Sequence, residues 1–213
     1  MDLYFSPLAC SLATRISVYE AGADARFIEV DPKTKRIIDD GSDYLKVYPL
    51  GMVPAIRMDD GALLTENAAI LQYVADHFPD AKLAPRSGIE RTRLHQWLCF
   101  IGTELHKGLF VPLFDKKAPD GTAANTLAKG ESRLAYLNDY LTGREFLLDS
   151  FSVADAYLYT VLNWSMATPV KFDRFPAIQA YYSRLQKRPS IAKAFGEELA
   201  LYKAELARHK VAA

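Results

Sequence analysis

The chain has 213 residues, half of them hydrophobic, and its 26 lysines and arginines balance 26 aspartates and glutamates. A sizeable core is within reach, while a formal net charge of zero gives no electrostatic reason to expect nucleic acid or an acidic membrane surface as a partner. The two cysteines, Cys10 and Cys99, stand in unlike contexts and make neither a disulfide framework nor a zinc spacing, which fits a reducing cytoplasm.

The opening Met-Asp-Leu-Tyr-Phe-Ser lacks the basic and apolar regions of a signal peptide, and no apolar run reaches the length of a membrane span. Leu3-Tyr4-Phe5 reads as a buried strand stopped at Ser6-Pro7. Leu12, Ile16 and Tyr19 then follow at helical spacing up to Gly22. Phe27–Val30 is a second strand, ended by Asp31-Pro32. The polar stretch 34–45 is expected to hold a short helix and a loop.

Next comes Tyr-Pro-Leu-Gly-Met-Val-Pro, with Asp60-Gly61 closing a hairpin between Ala55–Met58 and Ala62–Thr65. A helix from Glu66 to His77 completes an α/β unit of order β-α-β-α-β-β-α over residues 1–79. The prolines and glycine of 78–88 read as a linker. Beyond it strand signals vanish, and residues 87–213 read as an all-helical domain. Leu94, Trp97, Leu98, Ile101, Leu105 and Leu109 form a core stripe beside a second stripe of Cys99, Gly102, Thr103, His106 and Phe110. Ser152 and Asp155 have capping-box spacing, which assigns Asp155 to folding. Arg208–Ala213 is expected to fray.

The residue types at three places point to a small zwitterionic peptide as ligand. An X-Pro bond at Val53-Pro54 is a candidate for the cis form, which would leave the Val53 N–H and C=O free to pair with an extended peptide. Thr65, Glu66 and Asn67 stand at a helix start, where free N–H groups and the dipole attract a carboxylate. Glu66 offers a partner for an ammonium. Cys10 lies where the first helix begins, a position that favours the thiolate; the alternative there is a small buried hydrophobe. Ser11 either donates a hydrogen bond nearby or caps the helix.

Pro-Leu-Gly-x-Val-Pro followed by Leu-x-Glu-x-x-Ala-Ile resembles the glutathione site of the cytosolic glutathione transferases. Tyr-Phe-Ser-Pro-Leu-Ala-Cys-Ser around Cys10 and the pair His106-Lys107 resemble the bacterial beta class. The resemblance implies a thioredoxin-like glutathione-binding domain followed by the helical domain, which supplies a hydrophobic substrate site. It further implies Cys10, Ser11 and His106 as catalytic residues. Glutathione is then held by Cys10, Lys35, Met52, Val53, Pro54, Glu66, Asn67, Thr103 and His106, with no metal. Tyr48, Met52 and Asn67 depart from the residues common in the family. The implied protein is a cytoplasmic homodimer that conjugates glutathione to hydrophobic electrophiles. The alternatives are a thiol transferase or peroxidase working through a Cys10 mixed disulfide, and a non-catalytic binding protein on the same fold.

Overall fold

A computed structural model describes residues 1–211 and divides the chain into two compact units. The first contains Met1–Leu83 together with the chain from Pro189 onward; the second is Ala84–Arg188.

In the first unit, β1 (Asp2–Phe5) leads into α1 (Leu12–Glu20) and β2 (Arg26–Glu29), then β3 (Ala55–Arg57), β4 (Leu63–Leu64) and α2 (Asn67–His77). The sheet runs β2-β1-β3-β4, with β1 parallel to β2 and antiparallel to β3, and β3 antiparallel to β4. The helical crossover through α1 is what a parallel pair requires. Alternation along β1 sends Leu3 and Phe5 to one face and Tyr4 to the other. Leu3 and Phe5 join Val18, Ile56, Ile70 and Val74 in one core cluster, while Tyr4 joins Ile28, Val30, Ile37, Tyr44 and Ala55 in a second. At the hairpin Gly61 takes φ +84°, its N–H donates to Met58 O, and the Asp60 side chain accepts from Ala62 N.

Three expectations need correction. The stretch 34–45 holds no α-helix: isolated bridges pair Val30 with Ile37 and Arg36 with Asp43, and a single 3-10 turn follows at Tyr44–Lys46. Asp43 starts that turn by accepting from Leu45 N. The helical domain does not keep the last helix, α8 (Pro189–Val211), which groups with the first unit. Leu201 of α8 packs against the cluster of Leu3, Phe5 and Val18. The tail does not fray at Arg208 either. The helix runs to Val211, with Arg208 Nη2 donating to Glu29 Oε1 at 2.5 Å and His209 Nε2 bonded to Asp31 Oδ2 at 2.7 Å. Ala212 and Ala213 lie outside the described residues.

In the second unit, α3 (Gly88–Phe100), a π-wound stretch (Ile101–Phe110) and α4 (Val111–Phe114) follow without a break, since the junction residues all keep right-handed helical dihedrals. The predicted stripe from Leu94 to Leu109 is buried throughout. Next come α5 (Thr122–Leu141), α6 (Val153–Asn163), a 3-10 turn (Trp164–Ala167) and α7 (Pro176–Leu185). All of α6 is buried, as its apolar composition requires. Helix α5 approaches the π-wound stretch at Gly130, where a Cβ would stand 2.5 Å from Leu109 Cδ1. The capping box at Ser152 and Asp155 is formed.

Candidate active site

The loop after β1 is shaped by polar contacts. Leu8 takes φ +58° and its N–H donates to Glu198 Oε2 of α8 at 2.7 Å. That loop delivers Cys10 to the first turn leading into α1, where its carbonyl accepts from Ala13 N. The Cys10 thiol, half-buried, donates to Val53 O at 3.2 Å. The Val53-Pro54 bond is cis, as expected. Tyr44 braces the same loop by donating its hydroxyl to Met52 O at 2.8 Å, while the Met52 side chain is 49% exposed.

Ser11 neither caps the helix nor points outward. It is fully buried, with its hydroxyl accepting from Ser6 N and donating to Ser6 O.

Helix α2 begins at Asn67, one residue later than expected, because Glu66 holds φ +67°. No side chain caps this end, so its amides keep their attraction for an anion. The Glu66 carboxylate is exposed. Asn67 is buried; its Oδ1 accepts from the Thr14 hydroxyl and its Nδ2 has no hydrogen-bond partner among the described residues. A buried amide donor without a partner costs stability, which a ligand oxygen would restore.

Lys35 sits in a left-handed conformation, φ +57°, its N–H donating to Asp31 O and its carbonyl accepting from Tyr44 N. Its side chain lies against Gly51, beside Met52 and Val53. A Cβ on Gly51 would approach Lys35 Cδ to 3.2 Å and Leu45 Cδ2 to 2.9 Å, and Gly51 itself has φ +60°. Burial opposes the Asp31 carboxylate, but the amides of Thr34 and Lys33 and the His209 ring hold its pKa down to about 2. Asp31 therefore stays ionised at the root of the Lys35 loop.

Two site-supporting residues escaped the sequence reading. Arg15 is buried, with its guanidinium 4.3 Å from the Phe5 ring centroid and 4.1 Å from that of Phe27. Its Nε lies 3.1 Å from Glu198 Oε1. Burial pushes the Glu198 carboxyl up to about 8, against the pull of Arg15 and of the Leu8 amide. Neither residue lies in a motif, and their partners are remote in sequence.

His106 and Thr103 belong to the second unit. His106 is buried, with Nδ1 at 2.7 Å from the Tyr157 hydroxyl and its ring edge-on to Trp164 at 4.8 Å. Burial, aided by the Lys107 charge, lowers its pKa to about 4, so the imidazole is neutral at ordinary pH. Phe110 and Phe114 also meet Trp164 edge-on, and Phe114 and Met166 are exposed beside it. Thr103 is exposed, and its hydroxyl donates to Cys99 O one turn back. Lys107 is exposed, and Glu104 accepts from Arg133. Among the described residues no three His, Cys, Asp or Glu side chains are grouped to hold a metal, and no helix is long and apolar enough to cross a membrane.

Comparison with known proteins agrees with these features. The family profile described as "Glutathione S-transferase, N-terminal domain" matches residues 9–77, and the one described as "Glutathione S-transferase, C-terminal domain" matches residues 97–189. The chain is 42% identical to glutathione S-transferase GstA of Escherichia coli O157:H7 over 200 residues, covering 93% of this chain and 98% of that protein. Among solved structures, a sphingomonad glutathione S-transferase complexed with glutathione matches with a TM-score of 0.88 at 40% identity, covering 93% of this chain and 98% of that one. The bacterial beta-class enzyme of Sphingomonas chungbukensis also matches with a TM-score of 0.88, at 42% identity and with the same coverage. The chain therefore belongs to the glutathione S-transferase family, as a bacterial, beta-class-like member.

Proposed function

We propose that this transferase binds glutathione in its first unit and conjugates the glutathione thiolate to hydrophobic electrophiles. The observation that carries the reading is the convergence of Cys10, the Val53 carbonyl and the uncapped start of α2, with its unpartnered Asn67 amide, in one unit. An extended tripeptide pairs with the Val53 backbone. One of its carboxylates meets the α2 amides and Asn67, its ammonium meets Glu66, and Lys35 takes a second carboxylate. The relative solved with glutathione supports this co-substrate.

In conjugation the glutathione thiol loses its proton, the thiolate forms a bond to an electrophilic carbon, and the leaving group departs with its electron pair. Cys10 at the α1 start stabilises the thiolate, and His106 keeps the catalytic role that the family resemblance gives it. The exposed Phe114 and Met166 beside Trp164 offer an apolar surface for the electrophile. The site requires a homodimer only by family resemblance, and a cytoplasmic setting matches its thiol chemistry.

A second reading rests on the half-buried thiol of Cys10. Its thiolate attacks one sulfur of oxidised glutathione, that disulfide breaks, a Cys10–glutathione disulfide forms, and glutathione leaves as a thiolate. Retention on immobilised glutathione, combined with conjugation of chlorodinitrobenzene, tests the main reading. Retention with conjugation is the expected result. Retention without conjugation would favour the thiol-transfer reading, and loss of both would overturn glutathione as the co-substrate.

A further inference from the structure

A neutral imidazole has one nitrogen that donates and one that accepts, and the partner of the first decides the role of the second. In this chain the Nδ1 of His106 meets the Tyr157 hydroxyl at 2.7 Å. The two rings stand nearly perpendicular, at 87° with centroids 6.0 Å apart, and Tyr157 itself is 3% exposed. Trp164 holds the other side of the imidazole, edge-on at 71°. The ring is therefore fixed by α6 and by the turn that follows it. The titratable groups against it are Tyr157 from α6 and Lys107 from its own helix; Trp164, from the following turn, does not titrate.

We propose that Tyr157 is a positioning residue that donates its hydroxyl proton to Nδ1 of His106, fixing the imidazole as the tautomer that carries its proton on Nε2. A phenol is a stronger donor than a neutral imidazole N–H, so in a buried pair the hydroxyl gives and the ring nitrogen receives. His106 then offers Nε2–H to a ligand. It serves a thiolate as an uncharged hydrogen-bond donor and not as the base that removes the thiol proton. The low pKa of the buried ring agrees, since a doubly protonated imidazole would leave no lone pair on Nδ1 for Tyr157. The consequence for catalysis rests on the proposed function and on the role that the family resemblance gives to His106.

The assignment of the tautomer is testable without that role. Long-range 15N–1H spectra of the full-length protein labelled at histidine report the protonated nitrogen of each ring, and His106→Asn identifies the signal among the four histidines. The expected result is Nε2–H at His106 with no protonation down to about pH 5. A spectrum showing Nδ1–H, or a ring that becomes doubly protonated above pH 6, would overturn the proposal.

Tyr157→Phe supplies the second readout, with near-ultraviolet circular dichroism and glutathione calorimetry as controls for fold and binding. The expected change is about a three- to tenfold loss of kcat/KM for conjugation near neutral pH, the range set by one hydrogen bond, with KM for glutathione little altered. The pH profile should move to the alkaline side. Unchanged kcat and pH profile in Tyr157→Phe, with glutathione still bound, would remove Tyr157 from the reaction. Loss of glutathione binding in the unaltered protein would instead defeat the reading of the site while leaving the tautomer measurement intact.

Discussion

Asp155 in the helical unit and Glu198 in the sheet unit are both carboxylates with no exposed surface. Their surroundings differ. Asp155 Oδ1 accepts from Leu147 N and the Tyr181 hydroxyl, and its Oδ2 accepts from Ser152 N and the Ser152 hydroxyl. Every donor is internal, and the result is a closed helix start. Glu198 Oε2 takes the Leu8 amide, but its Oε1 and the facing Arg15 Nε approach without the geometry of a hydrogen bond. At Asp155 the helical unit completes its polar bonds within itself. The sheet unit leaves polar groups exposed or unbonded at the start of α2: its amides, Asn67 Nδ2 and the Glu66 carboxylate. Around Asp155 closure holds the fold, whereas openness at the start of α2 suits a ligand.

The thiols break or uphold that contrast most sharply. Cys99 is the more exposed of the two cysteines, whereas Cys10 stands at a helix start. If helix-end position rules, oxidised glutathione will modify Cys10 and spare Cys99, and Cys10→Ala will abolish the adduct. Mass spectrometry after incubation decides it, and an adduct on Cys99 alone would show that exposure governs.

The next largest effect is expected at Asp155. Removing the carboxyl in Asp155→Ala strands four buried donors, and we expect a loss of about 3–5 kcal/mol in urea denaturation. A loss below about 1 kcal/mol would mean that the box is not what closes the unit.

Glu66→Ala should act oppositely, on binding and not on stability. The exposed carboxylate contributes a charge-assisted contact of about 1.5–3 kcal/mol to the glutathione ammonium, so affinity should fall tenfold or more at unchanged denaturation midpoint. Equal affinity by calorimetry would remove Glu66 from the site.

The remaining effect concerns pH. Burial raises the folded-state pKa of Glu198 to about 8 from the ordinary 4.5 of a glutamate, so between these values the folded chain binds more protons than the unfolded one. That contribution to stability is fully present below about pH 4.5 and is lost as pH rises through about 8. Glu198→Gln should flatten this slope in denaturation midpoints measured from pH 5 to 8; a slope that persists would assign it to another group.

Local signals were legible in the sequence because their partners are close by. Asp60-Gly61 closes its hairpin within a few residues, Ser152 and Asp155 box their helix at a separation of three, and the Leu94–Leu109 stripe repeats with the helix itself. The loop carrying Lys35 is less legible, because its order comes from Asp31, Tyr44 and two isolated bridges, none of which has a period. The placement of α8 was hidden for a stronger reason. Its pattern is that of any amphipathic helix, and its choice of unit rests on Arg15, Leu8, Glu29 and Asp31, all near the other end of the sequence. Cys10, Val53, Lys35, Glu66, Asn67 and His106 are nominated by residue type and family resemblance, but the inward turn of Ser11 and the grip of Tyr157 on His106 are facts of packing.

The return of α8 to the first unit also bears on synthesis. A ribosome releases the sheet, α1 and α2 long before Glu198, which lies 190 residues beyond Leu8. Through that interval Arg15 has no carboxylate from α8, and the turn that carries Cys10 lacks its clamp. The turn that carries Cys10 thus gains its α8 clamp last, after the helical unit has been made. A nascent chain halted before α8 carries every residue that would touch glutathione in the first unit, yet lacks the strut that aims its sulfur.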